Sequence, residues 1–154
     1  QIQSALPQVE LYGLDLSGSY LKQASKYLSS RSGSHVQLTK GNAEEMPYAS
    51  SSFQALTCVF LFHELPRDAR QNVLNECFRL LEPGGTLVLA DSIQIEDSPK
   101  FTSIMENFHK IFHEPYYRDY IVDNINIRLE GSGFSSITSE SHFMTKVWKA
   151  NKPV

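Results

Sequence analysis

Short apolar runs alternate along this chain with segments whose apolar residues recur at helical spacing. Residues 9–14 and 86–90 are short apolar runs, and residues 56–62 are apolar at nearly every position. A run that is apolar on both faces is typical of a strand covered by helices above and below, as in a parallel sheet. Residues 67–81 place apolar side chains on one helical stripe. The alternation predicts an open, mostly parallel α/β sheet with right-handed crossovers.

The remaining segments extend this pattern to the end of the chain. Residues 36–39 form a weaker strand candidate, residues 101–112 include a helix, and a further helix runs from about residue 119 to 129. Residues 137–143 and 145–150 are two short strand candidates separated by a single residue. Such close strands can pair only as an antiparallel hairpin. We therefore predict an antiparallel hairpin at one edge of the sheet.

Length and charge restrict the class of protein. The chain has 154 residues, of which 41% are hydrophobic and 20% charged, enough for the core of one domain. Its net charge of −3 provides no broad basic field, so we expect no nucleic-acid partner. No stretch approaches the roughly 20 apolar residues that a membrane span needs. A small-molecule ligand fits this composition better.

Cys58 and Cys77 are the chain's two cysteines. One lies in an apolar run and the other in a helical pattern, so we expect two buried thiols without a disulfide. That expectation favours an intracellular, reducing compartment and leaves the organelle open. The chain begins at Gln1 without a methionine, which we interpret as a cut point within a longer protein.

Asp15 directly follows the first apolar run. In open α/β sheets, ligands bind beyond the carboxyl ends of the strands, where a carboxylate can accept hydrogen bonds from both hydroxyls of a ribose. The alternative is that Asp15 caps the next helix. Because Ser17 and Ser19 are also available as caps, we favour the ribose role.

Asn42 and Ala43 follow the second strand candidate. An amide beside an exposed backbone N–H can recognise the edge of an adenine. A turn in which Gly41 and Asn42 supply a positive φ explains the same residues equally well.

Phe62 and His63 end the most apolar run. An imidazole at the rim of a cleft can accept a proton near neutral pH, whereas the alternative is a structural, hydrogen-bonded histidine. Asp91 ends the 86–90 strand and either lines an acceptor pocket or, as we favour, caps the next segment. Pro83-Gly84-Gly85 ends the 67–81 helix and permits a tight reversal.

Two further sets of residues have an ordinary structural explanation. His109 and His113 lie four positions apart on a predicted helix, the spacing of many zinc sites, but the sequence identifies no third ligand. We therefore predict no metal site. Tyr116, Tyr117 and Tyr120 either line the acceptor pocket or pack on the following helix.

Four segments, taken in order, resemble the class I methyltransferases dependent on S-adenosylmethionine (SAM), particularly the group that contains the ubiquinone and menaquinone biosynthesis enzymes. They are residues 12–17, 41–47, 53–66 and 76–85. The resemblance implies a Rossmann-like fold, SAM as cofactor and methyl transfer to a small molecule. Asn42 stands where this family usually has aspartate, and its carbonyl oxygen can still meet the adenine amino group. The resemblance implies a cofactor site of Asp15, Leu16, Asn42, Ala43 and Phe62, with His63 as the candidate base or orienting residue.

The resemblance also implies what precedes the chain. The family begins with a strand and a Gly-x-Gly loop, whereas residues 1–8 resemble only the tail of the helix after that loop. We therefore predict an N-terminally truncated domain without its first, central strand. Such a chain would bind cofactor weakly or not at all, and its exposed strand edges would favour self-association.

Two other functions remain open. An NAD-dependent oxidoreductase also places a carboxylate after its second strand, although the Pro-Gly-Gly turn and the antiparallel end favour the methyltransferase. A non-enzymatic interaction module could use the exposed edges, or the aromatic residues 112–120, to hold a partner.

Overall fold

The computed structural model describes residues 5–30 and 36–154, except for the side chains of residues 109 and 111. The chain divides into two compact units, residues 1–47 and 48–154. The elements of the first unit are β1 (Leu11–Asp15), α1 (Gly18–Ser29) and β2 (Val36–Lys40). Those of the second are β3 (Phe53–Val59), α2 (Arg67–Leu80), β4 (Leu81–Ser92), α3 (Thr102–Phe112), α4 (Tyr117–Tyr120), α5 (Ile125–Gly131), β5 (Ser135–His142) and β6 (Thr145–Asn151).

The first unit is a strand–helix–strand arrangement. β1 and β2 are parallel, with Leu11 opposite Val36 and Asp15 opposite Lys40. Ser17 begins α1 as its N-cap, and its hydroxyl accepts the backbone N–H of Tyr20 at 3.4 Å. Both strand predictions are confirmed, and so is the expectation that a serine caps this helix.

The second unit is built on a four-stranded sheet in the order β3-β4-β6-β5. β3 and β4 are parallel, whereas β6 is antiparallel to both β4 and β5. The predicted α/β architecture and the C-terminal hairpin are confirmed. Across the described residues, two ladders are parallel and two are antiparallel, so the sheets are mixed. The missing central strand stays a prediction.

Two predicted elements end differently in the structure. The strand predicted over residues 56–62 ends at Val59, because Phe60 adopts a left-handed φ of 50°. Phe62–Glu64 then forms a 3₁₀ turn. The prediction of one helix over residues 119–129 is wrong, since Asn124 caps a separate helix by accepting the N–H of Ile127 at 3.2 Å. Asn side chains compete with the helical backbone in this way.

The predicted 67–81 helix is confirmed as α2, but it passes directly into β4 at Leu81. Pro83-Gly84-Gly85 therefore lies inside β4, and Gly84 supplies a φ of +80° there. A side chain rarely tolerates that conformation, which explains the glycine.

The core of the second unit lies between the sheet and its helices. Its fully buried side chains include Leu74 and Leu80 from α2, Leu87 and Leu89 from β4, and Trp148 from β6. Cys77 is buried as expected, whereas Cys58 is only half-buried; both are free thiols. Among the described residues, no helix has the length and apolar character required to cross a bilayer.

Candidate functional site

A short polar contact in the second unit joins His63 to Asp91. Nδ1 of His63 lies 2.7 Å from Oδ1 of Asp91, whose side chain is fully buried. The backbone N–H groups of Ser92 and Phe62 donate to the two oxygens of the same carboxylate at 2.7 and 2.8 Å. A carboxylate can only accept, so Nδ1 carries the proton and Nε2 of the neutral imidazole holds the lone pair.

This contact follows from the way that β3 and β4 are paired. Val59, the last residue of β3, lies opposite Ala90, so the residues that follow β3 lie beside Asp91, which β4 includes rather than ends before. The left-handed turn at Phe60 then places His63 in the 3₁₀ turn beside Asp91. Asp91 therefore binds His63 from the neighbouring strand. The sequence analysis favoured Asp91 as a cap of the next segment and did not predict this contact.

Aromatic rings surround the imidazole. The rings of Phe60, Tyr117 and Tyr120 lie edge-on to His63, with centroids 6.3, 6.0 and 6.2 Å away. The Tyr117 hydroxyl lies 2.7 Å from that of Ser92, and the Tyr120 hydroxyl donates to the Ser92 carbonyl at 2.6 Å. His63 is left with 13% of its side chain exposed.

These surroundings change the pKa of each titratable group. Burial alone lowers the pKa of His63, but the hydrogen bond to Asp91 and the negative charges of Asp91, Glu114 and Glu64 outweigh it, so the pKa is raised. Burial raises the pKa of Tyr117, and it raises that of Tyr120 well above the ordinary value. Both phenols therefore stay protonated near neutral pH, whereas the raised pKa of His63 strengthens the imidazole as a proton acceptor.

Arg70 holds the aromatic segment in place. Its guanidinium is fully buried and donates to the Phe62 carbonyl at 2.9 Å, to Asp119 at 2.9 Å and to Asp123 at 2.7 Å. It also donates to the Tyr116 carbonyl at 3.2 Å. Sequence analysis missed Arg70, although it lies three and four positions before Val73 and Leu74 and therefore on the buried face of α2.

In the first unit, Asp15 and Asn42 follow the carboxyl ends of adjacent parallel strands. Oδ1 of Asp15 accepts the N–H of Ser17 at 2.7 Å, and its carbonyl accepts the N–H of Gly41 at 3.1 Å. The side-chain oxygen of Asn42 accepts the N–H of Glu44 at 3.0 Å. A carboxylate and an amide at one edge are polar groups of the kind that a ribose and an adenine require.

The other predicted cofactor contacts differ in exposure. Leu16 is 68% exposed and Ala43 is half-buried, whereas Phe62 is fully buried. The N–H of Phe62 donates to Asp91 and its carbonyl accepts from Arg70, so both backbone groups already have partners. The joint site that the resemblance implies for Asp15, Asn42 and His63 stays a prediction, since the first two belong to one unit and His63 to the other.

The described residues also contain one group with metal-ligating atoms, formed by His63, Glu64 and Glu114. One ligand atom from each residue lies within 4.8 Å of the other two. The histidine pair singled out in the sequence is not tested, because the His109 side chain lies outside the described residues.

A family model for the methyltransferase domain matches residues 1–85. The chain belongs to this family, in the class I group dependent on SAM. This methyltransferase domain is 32% identical over 117 residues to demethylmenaquinone methyltransferase of Anoxybacillus flavithermus, an alignment that covers 71% of the chain and 48% of that protein. It is 34% identical over 88 residues to the Geobacillus kaustophilus protein of the same name, covering 57% and 37%. The chain therefore spans about half the length of these relatives.

Solved methyltransferases share the fold of this domain. A SAM-dependent methyltransferase from Methanosarcina mazei superimposes with a TM-score of 0.68 at 15% identity, over 99% of this chain and 86% of that one. Human N-acetylserotonin methyltransferase in complex with SAM gives a TM-score of 0.73 at 12% identity, over 99% and 43%. At these identities the likeness concerns the fold alone, and it agrees with the predicted Rossmann-like architecture.

Proposed function

We propose that the full-length protein transfers a methyl group from SAM to a small-molecule acceptor, with His63 as the base. The contact between His63 and Asp91 carries the chemical part of this proposal. A buried carboxylate on Nδ1 keeps the lone pair on Nε2 and stabilises the imidazolium that forms when Nε2 accepts a proton. This arrangement supports His63 as a general base.

When bound, SAM supplies an electrophilic methyl group on its sulfonium sulfur. The residues of this chain then have two tasks. Asp15, with Leu16, binds the ribose, and Asn42, with Ala43, binds the adenine. Alignment of acceptor and methyl group supplies several kcal/mol of the barrier reduction, and His63 removes the proton of an acceptor hydroxyl or activated carbon.

The names of the sequence relatives support a first acceptor to test. Several are demethylmenaquinone methyltransferases, so we propose a reduced demethylmenaquinone or a similar aromatic hydroxyl compound. Of the three aromatic rings around His63, Phe60 is 51% exposed and offers a face on which a flat acceptor can pack, whereas Tyr117 and Tyr120 are buried.

The experiment uses the full-length protein with methyl-labelled SAM and reduced demethylmenaquinone. We expect labelled product, and His63→Ala should reduce kcat by about 10²–10⁴-fold, the usual contribution of general acid–base catalysis. His142→Ala is the matched control, because His142 lies on the exposed β5–β6 hairpin. Absence of methylated product would contradict the acceptor, and unchanged turnover in His63→Ala would contradict the base.

Ligand binding distinguishes this proposal from its rivals. S-adenosylhomocysteine, and not NAD, should raise the melting temperature of the full-length protein. A rise with NAD alone would indicate an oxidoreductase, and no rise with either would favour an interaction module. For the 154-residue chain itself we propose impaired cofactor binding; micromolar affinity in calorimetric titration would contradict this.

We also propose that the 154-residue chain self-associates through β3. In the described sheet β3 has a neighbour on one side only, and Val59 and Phe60 near its end are 58% and 51% exposed. An unprotected edge of this kind can pair with a second copy. Val59→Lys should shift sedimentation towards the monomer, whereas Val122→Lys, at another exposed valine, should not. A wild-type chain that sediments as a monomer at high concentration would contradict this.

The free thiols support an intracellular, reducing location, which we propose for the full-length protein. Fluorescent-tag imaging of the full-length protein checks this and identifies the organelle.

A further inference from the structure

Outside its contact with Asp91, His63 faces two carboxylates. Nε2 lies 4.0 Å from Oε1 of Glu64, which belongs to the same 3₁₀ turn. Glu114 approaches from the segment after α3, and one ligand atom from each of the three residues lies within 4.8 Å of the other two. Three ligand atoms from two separate parts of the chain therefore meet around one point.

The chemistry of these atoms matches a borderline divalent cation. One neutral imidazole and two carboxylates carry two negative charges, which a divalent ion neutralises. Zn²⁺ binds such nitrogen and oxygen ligands at about 2.0–2.2 Å in a tetrahedron, so two ligands of one ion lie about 3.4 Å apart. The separation of 4.0 Å between Nε2 of His63 and Oε1 of Glu64 is only slightly longer than this distance. Glu64 is 58% exposed, so its side chain can rotate through the small remaining distance.

Asp91 fixes the orientation of the His63 ring, which an isolated histidine beside two glutamates would lack. Metal-binding histidines usually donate their second ring N–H to a carboxylate or carbonyl, which fixes the ring and strengthens the ligand. Asp91 accepts Nδ1–H at 2.7 Å and is itself held by two backbone N–H groups. The ring of His63 is thus oriented before any ion arrives.

We propose that His63 Nε2, Glu64 and Glu114 form a binding site for a divalent transition-metal cation of the Zn²⁺ type, with Asp91 orienting the imidazole. Three protein ligands leave a fourth position for water or another ligand. Mg²⁺ fits poorly, because it prefers oxygen ligands in octahedral geometry.

Occupation of this site has a consequence that rests on the proposed function. The lone pair of Nε2 cannot hold a metal ion and accept a proton at the same time. Zn²⁺ bound at this site therefore inhibits the methyl transfer that depends on His63.

The direct test measures Zn²⁺ binding to the metal-free chain by competition with a chromophoric chelator. We expect one equivalent of Zn²⁺, bound at micromolar or tighter affinity, and no competition from millimolar Mg²⁺. His63→Ala should abolish this binding and Glu114→Gln should weaken it strongly. Asp91→Asn should weaken it about 10–100-fold, as loss of a supporting carboxylate does elsewhere.

The hairpin provides a matched control. His142 and Glu140 lie 3.4 Å apart, and both side chains are exposed. His142→Ala and Glu140→Gln should leave Zn²⁺ affinity unchanged. The proposed site would be contradicted if these variants lost as much Zn²⁺ affinity as His63→Ala does. It would also be contradicted if Zn²⁺ binding depended on His113 and survived His63→Ala. Circular dichroism of each variant verifies folding, and Glu114→Gln, which removes only a half-buried carboxylate, keeps the test valid if Asp91→Asn unfolds.

The inhibition is tested separately in the full-length protein. Zn²⁺ should reduce turnover of the wild type, and Glu114→Gln should require a higher Zn²⁺ concentration for the same inhibition. Tight binding without any methyl transfer would contradict the proposed function and leave the site intact. Methyl transfer without tight, His63-dependent Zn²⁺ binding would contradict the site alone.

Discussion

His63 and Asp91 lie 28 positions apart in the chain, yet Nδ1 of the imidazole and Oδ1 of the carboxylate are 2.7 Å apart. The carboxylate is fully buried and the imidazole almost so, which makes this contact short, oriented and shielded from water. It joins two residues that the sequence indicates only as separate strand terminators.

Asp91→Asn should lower the pKa of His63, because the amide removes the negative charge that outweighs the effect of burial. NMR titration of the imidazole in chelator-containing buffer measures the change. Asp68→Asn removes an exposed acid from the start of α2 and serves as control. An unchanged His63 pKa in Asp91→Asn would contradict the contact.

The same shift predicts a pH dependence of stability. The folded-state pKa of His63 is raised above 6.5, so the folded state binds this proton more tightly than the unfolded state. The resulting stabilisation is fully present below about pH 6.5 and is lost as the pH rises through the folded-state pKa. Urea unfolding should show that the difference in unfolding free energy between wild type and Asp91→Asn shrinks as the pH rises through the folded-state pKa of His63.

Arg70→Met should destabilise the second unit by about 3–5 kcal/mol, because it leaves the buried Asp123 without one of its cations. Arg67→Met is the matched control. Arg67 also binds Asp119 but is 50% exposed, so its loss should cost about 1 kcal/mol or less. Urea unfolding measures both, and equal costs would show that burial does not set the strength of this network.

Two neighbouring glycines should respond oppositely to alanine. Gly133 has a φ of +98°, and a Cβ there would lie 3.0 Å from the Phe78 ring, so Gly133→Ala should cost about 1–3 kcal/mol. At Gly131, the last residue of α5, a Cβ would meet nothing within 4 Å. Gly131→Ala should therefore be neutral or stabilise by up to about 1 kcal/mol. Thermal unfolding of both variants checks the order.

Cys77 should resist alkylation in the folded protein. Burial raises the pKa of its thiol to about 12, so only about one molecule in ten thousand carries the reactive thiolate at pH 8. Iodoacetamide labelling followed by mass spectrometry should modify Cys77 slowly in buffer and rapidly in urea. Rapid labelling in buffer would show that the site opens readily.

The spacing of apolar residues was sufficient to predict most of the helices and strands. The α2 stripe, the C-terminal hairpin and both strands of the first unit agree with the sequence prediction within a few residues. The predicted helix over residues 119–129 failed because its apolar spacing continues across Asn124, where a side-chain cap starts a new helix. Spacing reports which face is buried and does not report where the backbone hydrogen bonds change partner.

The sequence by itself determined the α/β class and the candidate residues His63 and Asp91, because strand ends and helical stripes are local patterns, and its resemblance to known methyltransferases indicated the family. Only the tertiary structure decided that Asp91 binds His63, that Arg70 ties α2 to the tyrosine segment, and that Glu114 reaches the same imidazole. These contacts depend on the register of β3 against β4 and on the packing of distant segments. No local pattern in the chain encodes those distances.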